Sequence, residues 1–198
     1  MEYPVIVSFR NVRGISMRAT KAGEIRVTAP LFMSRRRVAA FVESHREWMD
    51  AAVARTLAAA RNQDDFYSRL QLGTRAQRSE AVARLDAIVK PLVEAYSGRM
   101  GVKPSAISYK AIKSRWGSCN SRSGHINLSI YLLLLPEWCI EHVVVHEMAH
   151  LLVPNHSAAF YALMDRYFPR WKEARIETGN ILYSKNAPGL SAAADSDS

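Results

Sequence analysis

Apolar residues along this chain change their spacing several times, and each change marks a different kind of element. Over the first thirty residues they alternate in the strand manner: Val5, Val7 and Phe9, then Ile15 and Met17, then Ile25 and Val27, with Gly14 and Gly23 between the runs. Period-two alternation broken by glycine predicts a small antiparallel β-meander, which Pro30 ends. From Ser34, a good helix N-cap residue, the spacing lengthens. Val38, Phe41, Val42, His45, Trp48, Met49 and Ala52 then share one face of a helix reaching to about Arg61. A polar stretch over residues 62–73 breaks the pattern. Thr74 can cap a second long helix through Val82, Leu85, Ile88, Val89, Leu92 and Tyr96, which Pro91 is expected to kink or split.

Beyond residue 104 the period returns to two. Ile107, Tyr109 and Ala111 suggest a strand. A polar turn over residues 120–124 and the run His125-Ile126-Asn127-Leu128-Ser129-Ile130 then read as a hairpin. Pro136 stands at the first turn of a strongly apolar helix, a position that tolerates proline. Ser157 can cap the next helix, with Phe160, Leu163, Met164 and Phe168 inward, and a last helix is expected over residues 169–182. Residues 185–198 are small and polar with no apolar period, so disorder is expected there. The result is an α+β chain. Residues 1–73 carry the N-terminal β-meander and long helix, residues 74–184 a catalytic segment with a small antiparallel sheet, and residues 185–198 a tail.

Composition narrows this reading only modestly. The chain has 198 residues, 48% of them hydrophobic, enough to bury a real core. Its net charge of +9 permits nucleic-acid or acidic partners, but no nucleic-acid motif accompanies the charge. Arg35-Arg36-Arg37 reads as the solvated first turn of a helix. Two cysteines, Cys119 and Cys139, make no disulfide framework. The first ten residues lack an apolar signal core, and no stretch reaches membrane-spanning length. A reducing, cytoplasmic setting is the expectation. There is no glycine-rich phosphate loop, no CxxC, no G-x-S-x-G and no internal repeat.

The chemistry concentrates in His146-Glu147-Met148-Ala149-His150, an H-E-x-x-H pattern inside the apolar helix. Residues four apart lie on one helix face, so His146 and His150 can bind one metal ion. Glu147 can then reach a water held by that ion and accept its proton. Pro154 and Asn155 stop the helix, and the chain can turn back to present His156 as a third ligand. Three protein ligands plus water is the catalytic form of a zinc site; four would be structural. No good fourth ligand is present. Cys139 lies about 10 Å along the axis from His146, and one straight helix cannot wrap His142, His146 and His150 around one ion when the outer two are about 12 Å apart. His142 is therefore read as a packed neighbour of the site. Imidazole ligands alone also suit iron, nickel and cobalt.

Around these residues the chain resembles a known family. The stretches Lys113-Ser114-Arg115-Trp116-Gly117-Ser118-Cys119, Ile126-Asn127-Leu128, Val143 to His150, and Asn155-His156-Ser157 with Phe160 are similar, in order and spacing, to the YgjP-like metallopeptidases, SprT-like in the wider sense, within the gluzincin-like branch of the HExxH zincins. The K-S-R-W-G-S-C string is the most specific part. The resemblance spans residues 1–183 and implies a minimal zincin-like fold. It also implies one zinc ion per chain on His146, His150 and His156 and Glu147 as general base, but names no substrate; a peptide or protein substrate is expected from the HExxH pattern and an edge strand before it. Where that family usually has an aromatic residue one turn before the first ligand, this chain has His142.

The expected reaction is peptide hydrolysis by Glu147-assisted attack of water on the carbonyl, with Glu147 returning the proton to the leaving amine. The oxygen that becomes negative needs a second donor beside the metal, and Arg115, Ser118 and Tyr161 are candidates. The strand around Asn127 is expected to offer its edge to an extended peptide. Arg115, Trp116, Ser118 and Asn127 are thus candidate substrate residues; Trp116 reads equally as a core aromatic. Cys119 reads as a structural thiol, because no activating base accompanies it. Two other readings stay open: hydrolysis of a non-peptide substrate such as a nucleotide, which predicts a basic pocket beside the metal, and a DNA-associated protease, which predicts salt-dependent binding.

Overall fold

The structure, a computed structural model, describes residues 3–183. The tail expected over residues 185–198 lies outside the described residues. The chain divides into two compact units, Met1–Asp64 and a second from Asp65 onward.

In the first unit, β1 (Val5–Arg10), β2 (Ser16–Ala19) and β3 (Ile25–Pro30) form one sheet in the order β1-β3-β2. β2 returns antiparallel onto β3 through a tight turn in which Gly23, at φ 80°, donates its N–H to the Thr20 carbonyl. β1, however, lies parallel to β3 on its other side. The expected antiparallel meander is therefore corrected to a mixed sheet. Alternation fixes which face of a strand is apolar; it says nothing about which strand lies beside it. The central strand β3 buries Ile25, Val27 and Ala29 completely against Val38, Met49 and Val53.

Those three come from two helices, α1 (Arg35–Ser44) and α2 (Arg46–Ser68), where one was expected. Ser34 caps α1 by accepting from the Arg37 N–H. The break falls at His45, whose ring Nδ1 bonds the Phe41 carbonyl at 2.8 Å. Breaking the helix resets its phase, and Trp48, expected inward, is exposed. α2 also continues past Arg61 to Ser68. Its last turn carries Phe66 and Tyr67 into the core of the second unit, so the break expected over residues 62–73 is confined to residues 69–74.

The second unit opens with α3 (Arg75–Met100). Thr74 and Gln77 satisfy each other's backbone N–H groups in a capping box. The buried stripe Leu85, Val89, Val93, Tyr96 and Met100 follows helical spacing. Pro91 does not split the helix. It sits on the exposed face, where water can satisfy the carbonyl that its missing N–H leaves free.

β4 (Ala106–Lys110), β5 (Gly117–Asn120) and β6 (His125–Ser129) form a second sheet in the order β4-β6-β5. β5 and β6 make the expected hairpin, but β4 runs parallel to β6, so this sheet too is mixed rather than antiparallel. Tyr109 on β4 donates to Asp86 of α3 at 3.0 Å. A 3₁₀ turn over Ile130–Leu134 buries four apolar side chains and leads to α4 (Glu137–Leu152). α5 (Ala158–Tyr167) and α6 (Trp171–Tyr183) complete the unit.

α4 is apolar on nearly all sides. Cys139, Ile140, Val143, Val144, Val145, Met148 and Ala149 are all buried, and a fully buried Ile or Met side chain contributes about 1.5–3 kcal/mol. A helix so enclosed cannot rotate or slide without exposing that surface, and the residues it carries are held in fixed positions. Tyr96 of α3 adds a polar tie, donating to Glu141 Oε1 at 2.6 Å. Among the described residues no helix is long and apolar enough to cross a membrane.

Candidate metal centre

His146 and His150 stand one turn apart on α4, and the helix ends at Leu152. Val153 takes up an extended backbone, at φ −131° and ψ 101°, as the residue before a proline prefers. Pro154 and Asn155 then reverse the chain, and His156 returns to the first two histidines. The ligand nitrogens of His146, His150 and His156 all lie within 4.8 Å of one another. The Nε2 atoms of His146 and His156 are 3.2 Å apart. Two nitrogens bound to one tetrahedral zinc at 2.0–2.1 Å would stand about 3.3 Å apart, so the geometry suits such an ion. His150 bonds the Val153 carbonyl through Nδ1 at 3.2 Å. That bond fixes its tautomer and leaves the Nε2 lone pair free for a metal.

Phe160, on the first turn of α5, lies beneath all three imidazoles, with ring centroids 4.9 Å from His146, 4.6 Å from His150 and 4.8 Å from His156. Only 1% of it is exposed. The sequence marks Phe160 as a core residue but does not show that its ring is the floor of the histidine cluster.

Burial also sets the charge of these groups. It is the main reason His146 falls to about 3, with repulsion from His150, His142 and His156 acting the same way. His150 is lowered as well, again mainly by burial. Both are therefore neutral imidazoles at pH 7, the form that binds metal.

Glu147 reaches toward β5. Burial raises its carboxyl to about 7, opposed by the charge of Arg115. It is accommodated by the absence of a side chain at Gly117. A Cβ there would stand 2.5 Å from Glu147 Oε1 and 2.8 Å from Cδ, closer than real side chains approach.

His146, His156 and Glu147 open onto a cavity of about 520 Å³. Arg115, Trp116 and Tyr161 line it, and so do His142, Trp171 and Arg175. The segment before β5 is held by Tyr67, which donates to the Lys113 carbonyl at 2.8 Å, and by Ser129, which donates to the Ile112 carbonyl at 2.6 Å. Trp116 packs edge-on against Phe66 with centroids 6.2 Å apart and also lines the cavity.

Ser118 and Asn127 are not among the cavity's lining residues. They pair with each other across β5 and β6, and Asn127 also pairs with Ser108 of β4. β6 is thus the central strand with no edge to offer, and the free edge beside α4 belongs to β5. Arg175, on α6, was missed by the sequence reading. Its spacing from Trp171, four residues, puts both on one helix face, but nothing local signals that this face meets α4. Burial holds the Cys119 thiol up at about 11, with Glu147 adding to the shift, so it stays protonated.

The family model described as "YgjP-like, metallopeptidase domain" matches residues 69–178. Two solved metallopeptidase zymogens are similar over part of the chain. Abylysin of Pyrococcus abyssi is 28% identical, covering 46% of this chain and 93% of its own, with a TM-score of 0.42. Jannalysin of Methanocaldococcus jannaschii is 20% identical, covering 48% and 96% respectively, with a TM-score of 0.43. No curated protein matches the chain.

Proposed function

Because the chain belongs to the YgjP-like metallopeptidase family, we propose that it is a zinc-dependent peptidase in which His146, His150 and His156 hold the ion and Glu147 is the general base. The observation that carries this reading is the convergence of the three imidazoles of His146, His150 and His156 beside the buried Glu147 at an open cavity. Three ligands leave a coordination position open to that cavity, which is the catalytic form of a zinc site. When bound there, zinc would lower the pKa of water toward 7 and polarise a substrate carbonyl.

The protein's own groups supply the rest. Phe160 and the Val153 carbonyl hold the imidazoles in place. Glu147, with a carboxyl near neutrality, is suited both to take a proton from the attacking water and to return it. The water oxygen bonds to the carbonyl carbon, the C–N bond breaks, and the proton carried by Glu147 leaves on the amine. Arg115 and Tyr161 reach the cavity and can donate to the oxygen that becomes negative; Ser118, outside the lining, is the weakest of the three candidates. The free edge of β5, which carries Gly117, can pair with an extended peptide.

A second reading is favoured by one observation. Two arginines line the cavity, and a basic pocket is what hydrolysis of a phosphate-bearing substrate would use. The test is turnover of peptide and nucleotide substrates by the zinc-loaded protein, beside the Glu147→Gln and His146→Ala variants. Peptide turnover that Glu147→Gln abolishes with zinc retained, and that His146→Ala abolishes with zinc lost, supports the reading. Retained activity in Glu147→Gln removes Glu147 from the mechanism.

A further inference from the structure

The cavity has two cationic side chains with different surroundings. Arg115 is the one felt by Glu147, while Arg175 is the one felt by His142 and His146. Neither arginine has a hydrogen-bond or ion-pair partner among the described residues. Glu147 is the single carboxylate in the lining, so Arg175 faces the cavity without a counter-ion there.

His142 is the second observation. It is 9% exposed, lines the same cavity, and its Nδ1 is buried with no hydrogen-bond partner among the described residues. A buried polar atom left unpartnered is costly, and such atoms are usually satisfied by a protein group, a water or a ligand. Around these two groups the wall is apolar and rigid. Trp171 stacks on Tyr161 with centroids 5.1 Å apart and donates from Nε1 to Asp165 at 2.7 Å. Val143 and Met164 complete the wall.

We propose that Arg175 and His142 form a specificity subsite for a carboxylate of the peptide substrate, next to the metal centre. A carboxylate has two oxygens and only accepts hydrogen bonds. A guanidinium donates to it in a fork, and the imidazole of His142, which lines the same wall, supplies a second donor. The proposal rests on the peptidase reading above. The carboxylate can be an acidic side chain beside the scissile bond or the substrate's own C-terminus.

Matched peptides decide the matter. One pair carries Glu or Gln at the residues flanking the cleaved bond, and the other carries a free or amidated C-terminus. With zinc-loaded protein, kcat/KM is expected to be at least about tenfold higher for the carboxylate member of one pair, and which pair shows it identifies the source. In Arg175→Met and in His142→Phe that ratio falls to within about twofold. Equal turnover of both members by the wild type, or a ratio unchanged in both variants, overturns the subsite while leaving the peptidase intact. The same peptides are titrated into metal-free protein by tryptophan fluorescence, which reads binding without catalysis. Tighter binding of the carboxylate member, lost in Arg175→Met, supports the subsite even if no peptide is cleaved; equal binding overturns it. A nucleoside monophosphate that binds metal-free protein at least about tenfold tighter than any of the peptides also overturns it, in favour of a phosphate ligand.

Discussion

Gly117 of β5 and Glu147 of α4 stand so close that a Cβ on the glycine would lie 2.5 Å from the glutamate Oε1 and 2.7 Å from its Cγ. The glycine is not there for backbone freedom, since its φ is not among the positive values in the chain. It is there for space: α4 approaches the sheet closely at this point, and only hydrogen fits between strand and carboxylate.

Gly117→Ala is therefore expected to fold and keep its metal ligands but to displace the Glu147 carboxylate. A displacement of about 1 Å at a catalytic group costs on the order of 10²-fold in rate. The measurement is kcat on a cleaved peptide alongside zinc content by elemental analysis. Rate lost with zinc retained fits the contact. Wild-type rate would show that the carboxylate moves freely without cost.

How much of this site is legible in the sequence depends on how local each relationship is. The i, i+4 spacing of His146 and His150 fixes their shared face, and Pro154 forces the turn that returns His156; both are short-range constraints. Strand order is not local. The alternation of Val5, Val7 and Phe9 is the same whether β1 pairs in parallel or antiparallel, so a meander was expected and a mixed sheet found. The same blindness made β6 a free edge and nominated Asn127, because β4 had no visible partner. Phe66 and Tyr67 were hidden by the polar residues around them. The approach of Gly117 to Glu147 and of Arg175 to His142 joins elements about thirty residues apart, and no periodicity encodes it.

Phe160→Leu tests the floor of the cluster. Leucine keeps most of the apolar volume but loses the flat surface against which three imidazoles rest. The fold should survive with a cost of at most a few kcal/mol, while zinc affinity falls about 10-fold, at the low end of effects seen when groups supporting metal ligands are changed. Thermal unfolding with and without zinc separates the two effects. Unchanged zinc affinity would show that the imidazoles hold their orientation without the ring.

The bond from Tyr96 to Glu141 gives a pH-dependent prediction. Burial, and next the bond to Glu141, raise Tyr96 from 10.0 to about 12. The folded state thus holds this proton more tightly than the unfolded state does. Its contribution to stability is fully present below pH 10 and is lost as pH rises from 10 toward 12. Tyr96→Phe should lower stability by about 1.5–3 kcal/mol at pH 7, since the bond is to a charged group. It should also flatten the decline between pH 10 and 12, as read by denaturant unfolding across that range. Tyr109, raised in the same direction by burial and by Asp86, keeps the remaining slope. An identical alkaline slope in wild type and variant would mean that Tyr96 ionises no less readily in the folded protein.

Of the three proposed ligands, His156 is the one whose removal should separate metal binding from folding most cleanly. It is exposed, it lies beyond the end of α4, and its ring bond within the chain is to His146. His146, by contrast, sits on the enclosed helix and packs against His142, His150 and Phe160, so a substitution there disturbs the core as well as the site. His156→Ala should leave the unfolding temperature of metal-free protein within a few degrees of wild type. Zinc should raise that temperature in the wild type, because a ligand that binds only the folded state stabilises it by about 2.7 kcal/mol at a hundred times its Kd. In the variant that gain should be largely gone, with zinc content near zero after gel filtration. Two imidazoles one turn apart remain, but they lack the third donor that closes one face of the tetrahedron. Full zinc content in His156→Ala would place the third ligand elsewhere in the cavity, and Glu147 would then have to be examined as a ligand instead of a base.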